Sequence, residues 1–537
     1  MTAEPGQREH VEKKRSLGRV FGLVAILTVL SKFAGLARDM VVASSFGLSR
    51  ALDAYNLAYQ LTGNVLILFG GLGGPFHSST VAVLTPRKDT PDAGKLMAQI
   101  AALTVVILSV IMAAVYFLAP YLVSLIFPST NLDPQLRAQL FADAVGQLHV
   151  MAPLIAIAGI VGLSYGVLNV YDKVFWPSLS PAIASIAIIV AVIFFRDDAG
   201  LCLAVGTLAG AIGQALVQIP GMLRSPIKWS FNFEPHPGLK EYASMLWPAT
   251  ISTSVGQLNT FIDSIFISQI PSVTGGHLSA IVNTNRLVQL PLGVLLTAML
   301  VPILPRFTEQ VAANKVEDLK KELARALRFL WFLGLPITAL LLTIPRPIVE
   351  LLFQRGRFTA EDTTMMVQAL LFMAPSIIFY LARDLITRVF YAHQDSKTPY
   401  YVALVAIGVH LFLDWALVGP MGISGIALAL TLVTVFNLTC LAFLLKRKIG
   451  NLGLTQVIVP LIVMIAASAA CGASAMFIQS WLETTMHSTI TIARALELGL
   501  SIFVASGVGL LLYAGLCLSF RLDEPMMVFN RLTRRKA

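Results

Sequence analysis

Long apolar runs are the feature of this sequence that most restricts its fold. Stretches of roughly 20 mostly apolar residues, the length that an α-helix needs to cross a bilayer, recur from about residue 17 to residue 520. Hydrophobic residues make up 56% of the 537 residues and charged residues only 13%, which is too few charges for a soluble protein of this length. The sequence therefore predicts an all-α polytopic membrane protein, with nearly the whole chain in the membrane.

The apolar runs, taken together with turn signals and charged breaks, predict about fourteen transmembrane helices. Two sets of six form an N-lobe over 17–223 and a C-lobe over 242–445, and a final pair occupies 454–520. Residues 1–16 and 521–537 are predicted tails. Predicted helices 1 to 14 lie near 17–47, 54–84, 95–119, 146–171, 178–195, 199–223, 242–269, 276–305, 328–345, 363–390, 399–418, 421–445, 454–479 and 494–520.

The basic residues indicate the orientation of these helices. Lys and Arg are concentrated in the two tails and in the loops after even-numbered helices, and few stand in the opposite loops. Because Lys and Arg accumulate in cytoplasmic loops, we expect both termini to be cytoplasmic. The net charge of +10 is then a consequence of topology, and no nucleic-acid partner is expected.

Two segments of the first six-helix set are similar to segments of the second. LNVYDKVFWPSLSP at 168–181 matches VFYAHQDSKTPY at 389–400, and VAVLTPR at 81–87 matches VPILPR at 301–306, each with an offset of about 220 residues. An even number of spans separates equivalent points, which predicts two lobes related by a pseudo-two-fold axis along the membrane normal. Transporters of this plan bind substrate between their lobes near the midplane. A chance similarity of helices ending at proline is the alternative.

Cationic residues at membrane depth mark the candidate substrate site, because an ionisable group there is costly and by default faces a cavity or a partner. A guanidinium offers phosphate oxygens a rigid fork of donors and an ammonium offers a mobile point charge, so together they suit a diphosphate. Asn285 and Gln289 make the surroundings of Arg286 the most polar stretch of predicted helix 8. The candidate ligands are Lys32 and Arg38 in predicted helix 1 and Arg286 in helix 8.

Local ion pairing is the alternative interpretation of the arginines. Arg38 is followed by Asp39, and Arg383 in predicted helix 10 is followed by Asp384. Each pair could neutralise itself while the long side chains reach toward the interface. We favour this interpretation for Arg383 and a substrate-binding role for Arg38. Asp39 shares a helix face with Lys32 and is expected to support the site.

Acidic residues at membrane depth form a second group of candidates. Asp53 begins predicted helix 2, where it either caps that helix or serves in gating or pairing. His410 and Asp414 are four residues apart on one face of helix 11, and Asp263 lies in helix 7. Asp263, His410 and Asp414 could hold a coupling cation or proton if the two helices face each other. Separate, hydrogen-bonded structural roles are the alternative.

Signatures of enzymes and of metal sites are missing from the sequence. It contains no phosphate-binding P-loop, nucleophile elbow or HExxH motif, and its non-membrane segments are too short for a soluble catalytic domain. The four cysteines stand singly in apolar runs, without the paired spacing of a metal site. A transporter is therefore favoured over an enzyme, and no catalytic residue, cofactor or metal ligand is assigned.

Five ordered segments carry a resemblance to a known family: SKFAGLARDMVVASSFGLSRALDAY at 31–55, GVLNVYDKVFWPSLSP at 166–181, NRLVQLPLGVLLTAMLVPILPR at 285–306, LLFQRGRFTAEDT at 351–363 and RVFYAHQDSKTPY at 388–400. In these segments the chain resembles the MurJ (MviN) lipid II flippases of the multidrug/oligosaccharidyl-lipid/polysaccharide exporter superfamily. The resemblance implies fourteen helices, a cationic cavity enclosed by two six-helix lobes, and an apolar groove of helices 13 and 14 for a polyprenyl tail.

The resemblance also implies a function. It is the translocation of lipid II, an undecaprenyl-pyrophosphate-linked peptidoglycan precursor, from the cytoplasmic to the outer leaflet of the bacterial inner membrane by alternating access. Coupling to Na⁺, H⁺ or the membrane potential and contact with the cell-wall synthesis machinery are expected. Arg38 matches the family arginine of the G-x-A-R-D segment, Arg286 the arginine of helix 8, and Asp53 the acid of the D-A-[FY] segment.

Three positions depart from the family pattern. Lys32 stands where arginine is common, which keeps the charge but loses the bidentate fork. Predicted helix 2 reads LTGNVLILFGG at 61–71, where relatives often carry arginine, so one cavity cation is missing and the head group could differ. His410 stands where some relatives have asparagine, and because imidazole is a poor ligand for sodium, this residue argues against sodium coupling.

Three other functions remain open. A flippase for a different polyprenyl-linked oligosaccharide would use the same kind of cavity. A cation-coupled drug exporter shares the two-lobe plan but usually has a carboxylate-lined cavity and no final helix pair. A membrane-embedded polyprenyl-phosphate transferase would need catalytic carboxylates or histidines in a large outer loop, and the outer loops of this chain are short.

Overall fold

The secondary structure of the described part of the chain is helical. A computed structural model describes residues 27, 30–70, 74–128, 131–195, 197–230, 234–272, 275–452, 455–485 and 491–527. These residues contain no β-strand and a single isolated bridge between Leu132 and Ser272. The prediction of an all-α fold is confirmed. Contacts divide the chain into a first unit that ends at Gly276 and a second unit that begins at His277.

The helices of the first unit match the predicted spans, with several spans divided into two helices. They are α1 (30–46), α2 (Arg50–Gly70), α3 (Pro75–Leu84), α4 (Asp92–Phe117), α5 (Ala119–Ile126), α6 (Pro134–Met151), α7 (Leu154–Val170), α8 (Phe175–Phe194), α9 (Leu201–Leu216), α10 (Ile219–Leu223) and α11 (Gly238–Ile267), with a short 3₁₀ turn at Thr85–Arg87.

The second unit continues in the same way. Its helices are α12 (His277–Ala312), α13 (Val316–Thr343), α14 (Pro345–Phe353), α15 (Ala360–Met373), α16 (Ser376–Ala392), α17 (Lys397–Met421), α18 (Ile423–Ile449), α19 (Thr455–Thr485) and α20 (Thr491–Ser519).

A Met-Ala-Pro sequence bends one span in each unit. It occupies 151–153 between α6 and α7, where the two helices meet at 41°, and 373–375 between α15 and α16, where they meet at 43°. Proline has no N–H for the helix ladder and its ring crowds the preceding turn, so it bends a helix at such a point. The offset of 222 residues extends the internal repeat predicted from the sequence.

The helices that follow these bends also end alike. Asp172 after α7 and Gln394 after α16 both have a left-handed backbone, with φ of 57° and 58°. In each case the next residue donates its N–H five residues back, from Lys173 to Leu168 at 2.7 Å and from Asp395 to Phe390 at 3.0 Å. This arrangement is a Schellman cap, which satisfies the last carbonyls of a helix. The repeat therefore extends to backbone conformation.

The side chains at these equivalent caps have opposite charge. Lys173 donates its ammonium to the backbone carbonyl of Arg224. Asp395 instead accepts hydrogen bonds from Lys448 at 2.6 Å and from the hydroxyl and N–H of Thr398. Burial alone would raise the pKa of Asp395, but the hydrogen bonds from Lys448 and Thr398 outweigh it and lower the pKa to about 2.

By length and hydropathy, eight helices in the described residues could each cross a membrane, or up to ten if the two bent pairs each form one span. Predicted helices 1, 2, 7 and 8 are outside this set. Of their counterparts, α2, α11 and α12 are long enough to cross a membrane, with 21, 30 and 36 residues. A multi-span membrane protein is confirmed, and the total of fourteen stays a prediction.

Each unit has its own apolar core. In the first, α11 packs on α2, α3, α4 and α5, so this helix belongs by its contacts with the first unit. In the second, α19 and α20 pack on each other and on α13, where the Tyr513 hydroxyl donates to the Phe332 carbonyl at 2.9 Å. The division into lobes at 17–223 and 242–445 rests on the repeat and stays a prediction. The predicted N-terminal tail lies outside the described residues.

Candidate functional site

Arg38 forms an ion pair with its neighbour in α1. Its Nε and Nη2 groups both donate to Asp39 Oδ1, at 3.0 and 2.8 Å. The Arg38 side chain is 21% exposed and that of Asp39 is 8% exposed. Tyr55 and Tyr59 of α2 lie within electrostatic range of the guanidinium. The pairing that the sequence offered as an alternative is therefore present, and it occupies one edge of the guanidinium.

Lys32 lies in the same helix, six residues before Arg38, and is half-buried. The side chains of residues six apart in an α-helix project about a third of a turn from each other. The two cations therefore stand on adjoining faces of α1, as the sequence predicted. Asp39, seven residues after Lys32, lies on nearly the same face as Lys32.

Asp53 bonds to a loop that is distant in sequence. Its carboxylate, 2% exposed, accepts a hydrogen bond from the N–H of Gly276 at 2.6 Å. Gly276 has a φ of 93°, and a Cβ atom there would lie 2.5 Å from the Leu48 carbonyl oxygen. Only glycine fits this position without strain. The hydrogen bond joins Asp53 to the residue that leads directly into α12, and the role of Asp53 stays a prediction.

The start of α2 carries a second polar contact that the sequence did not single out. The Arg50 Nε lies 2.9 Å from Asp143 Oδ2 of α6, and Arg50 Nη1 donates to Gln139 one turn earlier. Both Arg50 and Asp143 are partly buried. These bonds fasten the first turn of α2, which holds Asp53, to α6.

Further along α2, a buried polar contact joins this helix to α11. The Ser264 hydroxyl donates to Gln60 Oε1 at 2.8 Å, and both side chains are buried. Asp263, the residue before Ser264, is also buried, with 6% exposure. A buried amide or carboxylate is costly unless it has polar partners. The sequence identified Asp263 but not Gln60 or Ser264, because a partner 204 residues away leaves no local pattern.

Arg286 occupies a polar turn of α12 in the second unit. Arg286 and Asn285 are half-buried, Gln289 is exposed, and Asn283 and Thr284 are buried. Residues three and four apart share a helix face, so Arg286 and Asn285 each neighbour Gln289. The predicted polar cluster around the arginine is therefore present on one side of α12.

His410 and Asp414 form a buried pair in the second unit. The distance from His410 Nε2 to Asp414 Oδ2 is 3.4 Å, and the side chains are 1% and 0% exposed. The buried residues of α17 are Val402, Ala406, His410 and Asp414, so a single stripe with a four-residue spacing faces the protein. Two of the four positions in that stripe are ionisable. The prediction that both lie on one face is confirmed; Asp263 belongs to the first unit.

Arg383 forms an ion pair with Asp384, its neighbour in the sequence, as we expected for this arginine. Its Nε and Nη2 groups donate to Asp384 Oδ1 at 3.0 and 2.6 Å. The guanidinium carbon also lies 3.7 Å from the centre of the Tyr380 ring, a close cation–π contact. The arginine is therefore engaged by its own helix on two sides.

A family model and the most similar relatives that we compared carry the same family description. A family model described as "Lipid II flippase MurJ" matches residues 42–493. A probable lipid II flippase MurJ from Synechocystis sp. is 32% identical over 459 residues, 82% of this chain and 84% of that protein. The lipid II flippase MurJ of Burkholderia cenocepacia is 28% identical over 81% of this chain and 84% of its own length.

Solved structures support the same fold. A structure titled "Lipid II flippase MurJ, inward closed conformation" superposes with a TM-score of 0.73 at 22% identity, covering 93% of this chain and 99% of the other. An inward-facing multidrug transporter of the MATE family superposes with a TM-score of 0.63 at 15% identity, over 79% of this chain and 95% of the other. At these identities the likeness concerns the fold alone.

Proposed function

The chain belongs to the MurJ family of lipid II flippases, and we propose that it carries lipid II from the cytoplasmic to the outer leaflet of the bacterial inner membrane by alternating access. The observation that carries this proposal is the distribution of ionisable groups. Lys32, Arg38, Asp263 and Arg286 stand inside segments that are predicted to span the membrane, and Asp53 stands at the start of one. Groups of this kind are retained in a membrane where they serve a substrate or ion pathway.

Arg38, Lys32 and Arg286 bind the diphosphate of lipid II. A guanidinium carries five N–H donors, and the pair with Asp39 uses one edge of the Arg38 fork. The opposite edge can still meet phosphate oxygens, while Asp39 holds the plane of the guanidinium in place. Arg286 supplies a second fork with Asn285 and Gln289 beside it, and Lys32 adds a mobile charge. The polyprenyl tail stays in lipid along the groove of α19 and α20.

Asp53 restrains the outer side of the transporter. By the predicted topology, the start of α2 and the loop before α12 both lie on that side. The bond from Gly276 to the Asp53 carboxylate must break before that loop can move away from α2. Asp53 therefore has a gating role.

Protons drive the cycle through His410 and Asp414. Asp414 is 0% exposed and lies beside a histidine that is 1% exposed, and a buried carboxylate is costly to keep charged, so this pair is suited to bind a proton or a cation. Imidazole is a poor ligand for sodium and a common proton carrier. The substrate also carries negative charge, so the membrane potential contributes roughly 2.3 kcal/mol per elementary charge per 100 mV.

Reconstitution in vesicles tests the substrate. Vesicles with this protein and a head-group-labelled lipid II are expected to expose the label to an impermeant reagent faster than protein-free vesicles. Arg286→Ala should reduce that rate, and Arg286→Lys should restore part of it because the charge remains. Equal rates for another undecaprenyl-diphosphate oligosaccharide would broaden the substrate class, and no translocation of either lipid would contradict the flippase proposal.

Ion replacement tests the coupling. The translocation rate of the wild type should respond to a pH gradient and not to a sodium gradient. His410→Asn replaces the imidazole with an amide oxygen, a ligand that sodium accepts, so this variant should lose its response to the pH gradient. A sodium response in the wild type, or an unchanged pH response in His410→Asn, would contradict proton coupling. His393→Asn, at the end of α16, is a matched control.

The remaining features of the proposal concern the surroundings of the protein. Both termini lie in the cytoplasm, as the distribution of Lys and Arg predicts. The released lipid II passes to the cell-wall synthesis machinery at the outer leaflet. Accessibility of single cysteines introduced at residues 5 and 535 to an impermeant thiol reagent in intact cells tests the orientation: neither should react.

A further inference from the structure

A slot in the first unit, separate from the charged residues, is lined almost entirely by apolar side chains. It lies between α4 and α11, with Phe76 of α3 also in its lining, and has a volume of about 290 Å³. Thr104, Tyr242 and Thr250 are the polar members of its lining. An apolar cavity of only about 150 Å³ stays dry and takes up apolar molecules, so water is not the expected occupant of this larger one.

The slot opens toward lipid. Its rim includes Leu103 of α4, 51% exposed, and Trp247 of α11, 69% exposed. In the apolar window of α4 only 17% of the residues are buried in the protein. An apolar side chain that is exposed on such a helix is suited to contact the hydrocarbon of the membrane. A hydrocarbon chain can therefore enter the slot from the side without crossing polar surface.

The length of the slot along its two helices matches the hydrocarbon thickness of one leaflet. Its α4 wall runs from Ile100 to Ile111 and its α11 wall from Leu239 to Thr250. At 1.5 Å per residue each wall is about 16 Å long, close to half of the roughly 30 Å hydrocarbon core. Both helices begin on the predicted cytoplasmic side, so the slot starts near that interface. The slot is therefore about as long as one acyl chain of the cytoplasmic leaflet.

We propose that this slot binds one acyl chain of a phospholipid from the cytoplasmic leaflet. The undecaprenyl chain of the substrate is much longer than the slot and is expected at α19 and α20, in the other unit. A bound acyl chain supplies the van der Waals contacts that the facing walls of α4 and α11 lack. The bound acyl chain then keeps α4 and α11 at a fixed distance from each other.

Photolabelling tests the occupant. The protein is reconstituted in vesicles of phosphatidylethanolamine and phosphatidylglycerol that contain a little phosphatidylcholine with a diazirine on its acyl chain. After irradiation, labelled peptides are mapped by mass spectrometry. Peptides spanning 100–111 and 239–250 should be labelled together, with the exposed faces of α19 and α20 as an internal reference for general lipid contact.

Two matched variants make the test specific. Ala243 lines the slot and is exposed enough to accept a larger side chain, whereas Ser244, also exposed, is not part of the lining. Ala243→Trp should fill the slot and reduce the labelling of Thr104 and Leu108 relative to the reference by about tenfold, which corresponds to about 1.4 kcal/mol of binding free energy. Ser244→Trp adds the same ring outside the slot and should leave the labelling unchanged.

The outcomes separate the possible occupants. Loss of labelling in Ala243→Trp alone supports the proposal. Unchanged labelling in Ala243→Trp, or an equal loss in both variants, overturns it. A diazirine-bearing undecaprenyl diphosphate that labels the slot more strongly than the phospholipid would assign the slot to the substrate tail and also overturn it. The measurement uses no transport, so its result is independent of the flippase assay.

Discussion

The tetrapeptide Leu-Ala-Arg-Asp occurs twice in the chain, at 36–39 in α1 and at 381–384 in α16. Both copies form the same bidentate pair, with arginine Nε and Nη2 donating to one carboxylate oxygen at 2.6 to 3.0 Å. The two arginine side chains are equally exposed, at 21%. The pair is therefore a local product of these residues on a helix and does not by itself distinguish the two sites.

The surroundings of the two pairs differ. In α16, Leu381 and Ala382 are fully buried and Tyr380 stacks on the guanidinium, so the pair belongs to a packed helix. In α1, Ala37 is exposed, and it is the carboxylate of Asp39 that is buried. One tetrapeptide thus yields a structural pair in α16 and, in our proposal, a substrate ligand in α1. Neighbouring elements decide the role of a charged pair that the local sequence creates.

Removing each arginine tests this comparison most strongly. Arg38→Ala should lower the initial rate of lipid II translocation in vesicles by about a hundredfold, because it removes charge-assisted hydrogen bonds worth roughly 1.5–3 kcal/mol each. Arg383→Ala should stay within about twofold of the wild type, since its partners are intramolecular. Arg38→Lys should be intermediate. A similar loss in Arg38→Ala and Arg383→Ala would remove the distinction between the sites.

Neutralising each carboxylate tests the role of burial. Asp39 is 8% exposed and Asp384 is 26% exposed. Loss of the charge of a buried partner leaves its counterion less compensated, whereas a carboxylate that solvent reaches in part contributes less. We expect Asp39→Asn to destabilise the protein by about 2 kcal/mol and Asp384→Asn by under about 1 kcal/mol. Melting temperatures in one detergent give the order, and the reverse order would refute the argument from burial.

The aromatic contact gives a smaller effect. Tyr380→Leu removes the ring at 3.7 Å from Arg383 and should cost about 1 kcal/mol of stability without changing transport. Tyr391→Leu is the matched control, because its ring centre lies 6.0 Å from Arg388, at the limit of a useful contact. Equal shifts in melting temperature for the two variants would show that the stacking on Arg383 is not specific.

The ion pair between Asp395 and Lys448 lies outside the predicted transmembrane helices and serves as a reference. We expect its loss to have the smallest effect on stability. The pKa of Asp395 is lowered to about 2, below the ordinary value near 3.9. The stabilisation is therefore complete above about pH 4 and is lost as the pH falls through about 2. Because the pair is partly exposed, we expect at most about 1 kcal/mol.

The measurement is the difference in melting temperature between the wild type and Asp395→Asn as a function of pH. It should shrink as the pH is lowered through the acid range and be constant near neutrality. A difference that grows on acidification would contradict the assigned direction of the pKa shift. Lys448→Gln should reproduce the neutral-pH effect, because it removes the same ion pair.

The helices and the local pairs could be predicted from the sequence, because both depend on residues close together in the chain. Hydropathy predicted the eight to ten apolar helices that the described residues contain, and a four-residue spacing placed His410 and Asp414 on one face. The Met-Ala-Pro bends were missed, since a proline inside an apolar run does not interrupt its hydropathy. These bends and the left-handed caps are nevertheless the clearest structural record of the repeat.

The contacts of the candidate site were less predictable. Asp53 pairs with a glycine 223 residues later, and Gln60 meets Ser264 at a separation of 204 residues. No local spacing encodes such partners. Positive φ angles at Gly275 and Gly276, and the approach of Gly276 to the Leu48 carbonyl, explain why two glycines stand before α12, but the sequence shows only the glycines.

The narrow buried stripe of α17 has a mechanical consequence. Because the fully buried side chains of this helix form one row, the rotational position of α17 decides whether His410 and Asp414 avoid hydrocarbon. Turning it by one residue, about 100°, would carry both groups toward the acyl chains. In our proposal, neutralising the pair lowers the energetic cost of that rotation, so the charge on these two side chains controls the rotational position of the whole helix.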